Sequence, residues 1–126
     1  MRVLCDTNVF IRLFVQDEEV KDRLQKIGDA NILMPVITVM ELYAGMQNKL
    51  ELQRMGRQIE HYNIMHLDAE SSQTAMLLME KYRLSHGLQI PDALIGAMAI
   101  RHKISLYTYN QKDFRYMPGI QLYPLD

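Results

Sequence analysis

The sequence of 126 residues has one cysteine, no tryptophan, no surplus of either charge and no long apolar run. A lone cysteine cannot form an internal disulfide, which fits a reducing compartment. Cys5 lies inside the apolar run Val3-Leu4-Cys5, so it reads as a small packed hydrophobe rather than a reactive thiol. No apolar stretch approaches the ~18 residues that suggest a membrane span, and no charged-then-apolar leader opens the chain. A cytoplasmic protein with no membrane partner is therefore expected. Fourteen basic residues stand against fifteen acidic ones, a net charge of −1. General nucleic-acid binders carry a marked basic excess, so that broad class is disfavoured, while a local basic patch stays compatible with a neutral total. The four histidines, His61, His66, His86 and His102, lack paired zinc spacing and read as surface or cap residues. No serine or cysteine with a partnered histidine is evident, which argues against covalent catalysis.

What is present is ordinary in amount and unusual in arrangement. An apolar share of 48% and a charged share of 23% suit a globular chain, and the length suits one domain over residues 1–126 with a core of its own. Ten methionines make that core pliable and suit an adaptable surface. Residues 2–5 read as a buried strand, with a helix beginning at Val9-Phe10-Ile11. Val20, Leu24 and Ile27 recur at helical spacing up to Gly28. "NILMP" reads as a strand, followed by one long helical stretch from about Thr38 with Leu42, Met46, Leu50 and Ile59 on one side. "NIMHL" is a third strand. A strong helix follows from Asp68, its apolar stripe predicted at Ala75, Met76, Met79 and Tyr82, closed by His86-Gly87. Pro91 suits the first turn of a deeply buried helix through Ile100; "ISLYTY" is the next strand and "IQLYP" a possible last one. Helices alternating with strands predict a three-layer α/β/α sandwich around a mostly parallel sheet.

Acidic residues recur where this chain turns from strand to helix. Asp6 ends the first strand, Glu41 lies in "VITVMELYAG", Asp92 opens "IPDALIGAMAI", and Asp113 closes "YTYNQKDF". Each has a plain alternative: Asp6 as a helix N-cap, Glu41 as a solvated side chain, Asp92 as a favourable charge at a helix start, Asp113 as part of a turn. Together they suggest more. Ligands of open parallel sheets bind outside the carboxyl ends of the strands. Carboxylates gathered there raise one another's pKa unless a cation sits among them, and magnesium or manganese prefers such oxygen ligands.

The segments "DTNVFIRLF", "VITVMELYAG", "IPDALIGAMAI" and "YTYNQKDF" resemble, in order and spacing, the four blocks of PIN-domain ribonucleases, with the nearest likeness to VapC-type toxins of toxin–antitoxin pairs. The resemblance implies a PIN-like α/β/α sandwich and a Mg2+- or Mn2+-dependent endoribonuclease. It assigns Asp6, Glu41 and Asp92 as the principal acids and catalytic metal ligands, and Asp113 as the fourth. Relatives differ in the last block, so Asn110 or Asp113 completes the set. Thr7 and Asn8 would hold Asp6, with Thr108 and Asn110 as supporting polar groups. The resemblance also implies an RNA substrate, transfer RNA among the candidates, a cognate antitoxin and a homodimer. Lys49, Arg54, Arg57, Arg83, Arg101 and Lys112 are the candidate RNA-gripping cations. Three rivals remain: a haloacid-dehalogenase-type phosphatase, disfavoured because Asn8 stands where it needs a second acid; a phospho-receiver domain, poorly matched by "NIMHLDAE"; and a PIN scaffold that binds without cleaving.

Overall fold

A computed structural model describes residues 1–125. Four short parallel strands, β1 (Val3–Cys5), β2 (Ile32–Pro35), β3 (Asn63–Met65) and β4 (Ser105–Tyr107), form one sheet in the order β3-β2-β1-β4. The side-chain period of two sorts the sheet's apolar residues onto both faces. Leu4, Leu33 and Leu106 point to one core, and Val3, Cys5, Ile32, Met34 and Tyr107 to the other. A sheet buried on both sides needs helices on both sides. Helices α5 (Ala69–His86) and α6 (Ile90–His102) cover the first face, and α1 (Thr7–Phe14) and α2 (Glu18–Ile27) the second. Helix α3 (Val36–Ala44) touches both cores, through Ile37 and Leu42, while α4 (Lys49–Ile59) adds Ile59 to the second. The expected α/β/α sandwich with a parallel sheet is observed.

Local signals set the helix starts. Asp6, Asp17, Asn48 and Asp68 each accept backbone N–H groups at the N-termini of α1, α2, α4 and α5. Gly28 and Gly87 sit just past the ends of α2 and α5 at φ of 90° and 66°, conformations that cost glycine little. Helix α6 buries Ala93 and Ile95 through Ala99, as its apolar run predicts.

Three expectations need correction. The long helix from Thr38 is two helices, broken at residues 45–48, because Asn48 caps Glu51 N–H and starts α4 afresh. Within it Leu50 is exposed, so the proposed common stripe does not hold. On α5 the buried line runs through Ser71, Ala75 and Leu78, leaving Met76 in solvent. The segment "IQLYP" makes only an isolated bridge, Leu106 to Leu122, rather than a strand. No helix among the described residues is long and apolar enough to cross a membrane.

Candidate functional site

Strand order locates the crevice. The chain leaves β1 toward β2 and β3 on one side, while β4 returns to the other side of β1. The carboxyl ends of β1 and β4 therefore flank the topological switch point, where open α/β sheets bind ligands. Asp6 follows β1 directly, and its N–H donates to the Tyr107 carbonyl at 2.9 Å, stitching the two strand ends together. Thr108, fully buried, follows β4 and donates its hydroxyl to Asp6 Oδ2 at 2.8 Å.

Asp6 is consequently both a cap and a site residue. Its Oδ1 accepts Thr7 N–H at 2.8 Å, and its Oδ2 also accepts Asn8 Nδ2 at 3.3 Å. Asn8 reaches across the crevice, accepting Tyr109 N–H at 3.2 Å. Thr7 turns its hydroxyl the other way, to Glu41 Oε1 at 2.6 Å and to Thr38 Oγ1 at 2.8 Å. Thr38 is fully buried and escaped the sequence reading; its signal was a lone hydroxyl in the apolar run Val36-Ile37-Thr38-Val39. The Thr108 hydroxyl also accepts Asn110 N–H at 3.0 Å. Two threonines and an asparagine thus tie three of the four blocks together.

Asp92 arrives from the fourth. It sits in the first turn of α6, with Pro91 beside it at a position whose missing N–H costs nothing. Burial raises its pKa most, and the charges of Asp6, Asp113 and Glu41 add to the push, taking it up to about 7. Burial likewise raises Asp6, partly opposed by its bonds from Thr108 and Thr7 and reinforced by Glu41 and Asp113. The four predicted acids therefore lie within one another's fields. Asp113 ends the short 3-10 turn Gln111–Asp113 and is half-buried, while Asn110 at the start of that turn is exposed.

Oxygen donors gathered under mutual repulsion fit a hard divalent cation. Among the described residues, no three His, Cys, Asp or Glu side chains close around one point as a ready-made cage. Repulsion keeps bare carboxylates apart, and magnesium takes only one or two protein carboxylates while keeping several waters, so an open set suits it better than a cage.

Of the candidate cations, Arg83 spends its guanidinium on the Gly87 and Leu88 carbonyls, and Arg101 pairs with Glu70 at 2.5 Å. Lys49, Arg54 and Arg57 are exposed on α4. Lys112 alone of these lines a recess that includes two of the acids, Asp92 and Asp113. That recess has a volume of about 260 Å³. A wider one of about 560 Å³ lies between α2 and the Tyr123-Pro124 segment and contains none of the four acids.

A family model described as PIN domain matches residues 3–120. A toxin–antitoxin complex from Klebsiella pneumoniae contains a chain of the same fold, 30% identical, with a TM-score of 0.78 and coverage of 98% of each chain. DNA-bound VapBC from Salmonella typhimurium superposes at a TM-score of 0.82 with 19% identity, over 100% of this chain and 99% of that one. VapBC-1 from nontypeable Haemophilus influenzae gives 0.81 and 21%, over 99% and 98%. At such identities the latter two speak to the fold alone. Among curated proteins no sequence match is found.

Proposed function

This chain belongs to the PIN-domain family, and from that premise we propose that residues 1–126 form one divalent-metal-dependent endoribonuclease domain, the toxin of a toxin–antitoxin pair. PIN domains are generally nucleases, and the likeness to toxin–antitoxin complexes supports the toxin role. The observation that carries the catalytic reading is that Thr7 joins Asp6 to Glu41 while Asp92 and Asp113 line one recess, with the charges of the other three acids felt at Asp92.

In this reading Asp6 and Asp92 hold magnesium or manganese, with Glu41 and Asp113 completing the acidic rim. When bound, the metal supplies a water of lowered pKa and neutralises charge on the phosphoryl oxygens. The chain does the positioning. Thr108, Thr7 and Asn8 aim the Asp6 carboxylate, and the Thr7 hydroxyl anchors Glu41. Asn110, exposed at the start of the turn that ends at Asp113, would orient a water or a phosphate oxygen in this reading. A cognate antitoxin would restrain the enzyme, and a homodimer and a cytoplasmic setting belong to the same proposal.

The test is cleavage of a small-RNA pool by purified protein in magnesium, manganese or EDTA, beside an Asp6→Asn control. Discrete fragments that need metal and vanish in the control are expected. A second reading, a PIN scaffold that binds without cleaving, rests on the last block, where Asn110 stands with Asp113 as the fourth acid. A scaffold would give no fragments and no stabilisation by either metal.

A further inference from the structure

The recess beside Asp92 and Asp113 has a second wall that the metal chemistry does not use. The His86 ring lies on the Tyr116 ring, centroids 4.0 Å apart and 20° from parallel. Tyr82 braces both rings, at 5.5 Å from His86 and 5.0 Å from Tyr116. His86 is exposed at the end of α5, and its Nδ1 meets Ser85 Oγ at 2.8 Å, which fixes the ring plane. Gln89 and Lys112, both exposed, supply an amide and an ammonium to the same recess. The loop that carries Gln89 is held by Arg83 on two carbonyls.

The Tyr116 hydroxyl is buried and has no hydrogen-bond partner among the described residues. Buried polar groups are normally paired, so this hydroxyl has bonding capacity left for a water or a ligand atom.

We infer that this recess is the nucleotide-selecting subsite of the enzyme. It takes one unpaired RNA nucleotide next to the scissile phosphate, with a base stacked on His86, Tyr116 and Gln89 bonding its polar edge or ribose, and Lys112 on a phosphate. The inference rests on the nuclease reading of the same site. Three observations carry it. The recess shares Asp92 and Asp113 with the acid set, so its occupant is continuous with the reacting phosphate. At about 260 Å³ it lies below the ~300–1,000 Å³ of drug-sized pockets, room for a single base with its ribose and phosphate left at the mouth, and too small for a duplex. Aromatic faces with a neighbouring cation are the means by which proteins hold unstacked bases. A guanidinium-bearing peptide would also be drawn to the carboxylates and the rings, against the repulsion of Lys112, and is the competing occupant in the binding test.

Equilibrium binding separates the subsite from the chemistry. The probe is a fluorescent single-stranded RNA pentamer of mixed sequence, titrated by anisotropy with the full chain in calcium and in EDTA. His86→Ala is expected to weaken binding roughly 5- to 150-fold, the range for loss of one stacked base. Tyr116→Phe should weaken it roughly two- to tenfold while the melting temperature holds or rises, because no protein partner is lost. Lys112→Ala should flatten the dependence of log K on log salt by about 0.7. Duplex RNA of equal length should bind no better to wild type than to His86→Ala.

Unchanged affinity in His86→Ala and Tyr116→Phe overturns the subsite, whether or not the protein cleaves RNA. So does the absence of pentamer binding, or a wild-type preference for an arginine-containing peptide over the RNA. Conversely, binding that depends on His86 and Tyr116 in a protein that never cuts RNA would sustain the subsite and sink the nuclease.

Discussion

Asp6 accepts hydrogen bonds from Thr7, Asn8 and Thr108, whereas Asp92, on the other side of the same crevice, accepts none from any described residue. Both are carboxylates drawn out of water within reach of the same charges. The difference is what opposes the desolvation. At Asp6 donors partly offset burial; at Asp92 burial and like charge act unopposed and push it up to about 7. One half of the crevice is thus a fixed anchor built into the strand ends. The other half is Asp92, which takes no hydrogen bond from a described residue, with the Tyr116 hydroxyl unpartnered in the same recess. Under the proposed metal-dependent reading, the preorganised side would orient a cation and the bare side would gain from binding it.

The largest expected effect comes from removing charge on the unsatisfied side. Asp92→Asn keeps the shape and should lower cleavage by on the order of 10²–10³-fold or more. Single-turnover assays on a mapped substrate check this, and wild-type-like rates would dismiss Asp92 as a metal ligand. Next is the packing beneath Asp113. Phe114 is fully buried against α6, where a Cβ on Gly96 would come within 3.5 Å of its ring. Phe114→Ala should cost about 3–5 kcal/mol in urea unfolding, and a loss under 1 kcal/mol would mean that the 3-10 turn is not held from below.

A smaller loss is expected on the anchored side. Thr108→Val keeps the volume but removes the donor to Asp6 and the acceptor for Asn110 N–H. Stability should fall by about 1–3 kcal/mol and manganese affinity by roughly 10–100-fold. Calorimetry in EDTA and then with metal would separate the two; equal effects from Thr108→Val and from a surface threonine would erase the distinction between anchor and open side.

The smallest effect is in pH. Asp92 is expected near pKa ~3.9 in the unfolded chain and about 7 in the metal-free fold. The folded state therefore holds the proton more tightly. Stability from this group is fully present below pH ~4 and is lost as pH rises through about 7, a change of about 1–2 kcal/mol after solvent screening. Melting curves in EDTA from pH 5 to 8 should show this decline in wild type and a shallower one in Asp92→Asn. Saturating magnesium should remove the difference in wild type. Parallel pH profiles of the two proteins would refute the unsatisfied-carboxylate account.

Much of this was legible in the residues. Asp6, Asp17 and Asp68 before helical periods, Gly28 and Gly87 after them, and Pro91 ahead of an apolar run mark element ends through backbone chemistry that acts over a few residues. The break at residues 45–48 was hidden because apolar spacing continues across it, and only the Asn48 cap betrays a restart. Met76 was misplaced for a related reason: α5 packs on α6 through Ala75 and Leu78, and several stripes of a Met- and Leu-rich helix look alike until the neighbour's surface chooses one.

By itself the sequence determined most of the strands and helices, that the sheet is covered on both faces, and that Asp6 and Asp92 stand at a strand end and a helix start. These follow from side-chain periodicity and capping, which are local. The tertiary structure alone decided that β4 lies beside β1, that Thr38 meets Thr7, that Thr108 bonds Asp6, and that His86 stacks on Tyr116 thirty positions away. Those contacts depend on strand order and helix packing, set by the burial of two apolar faces at once, and no short stretch of chain encodes that.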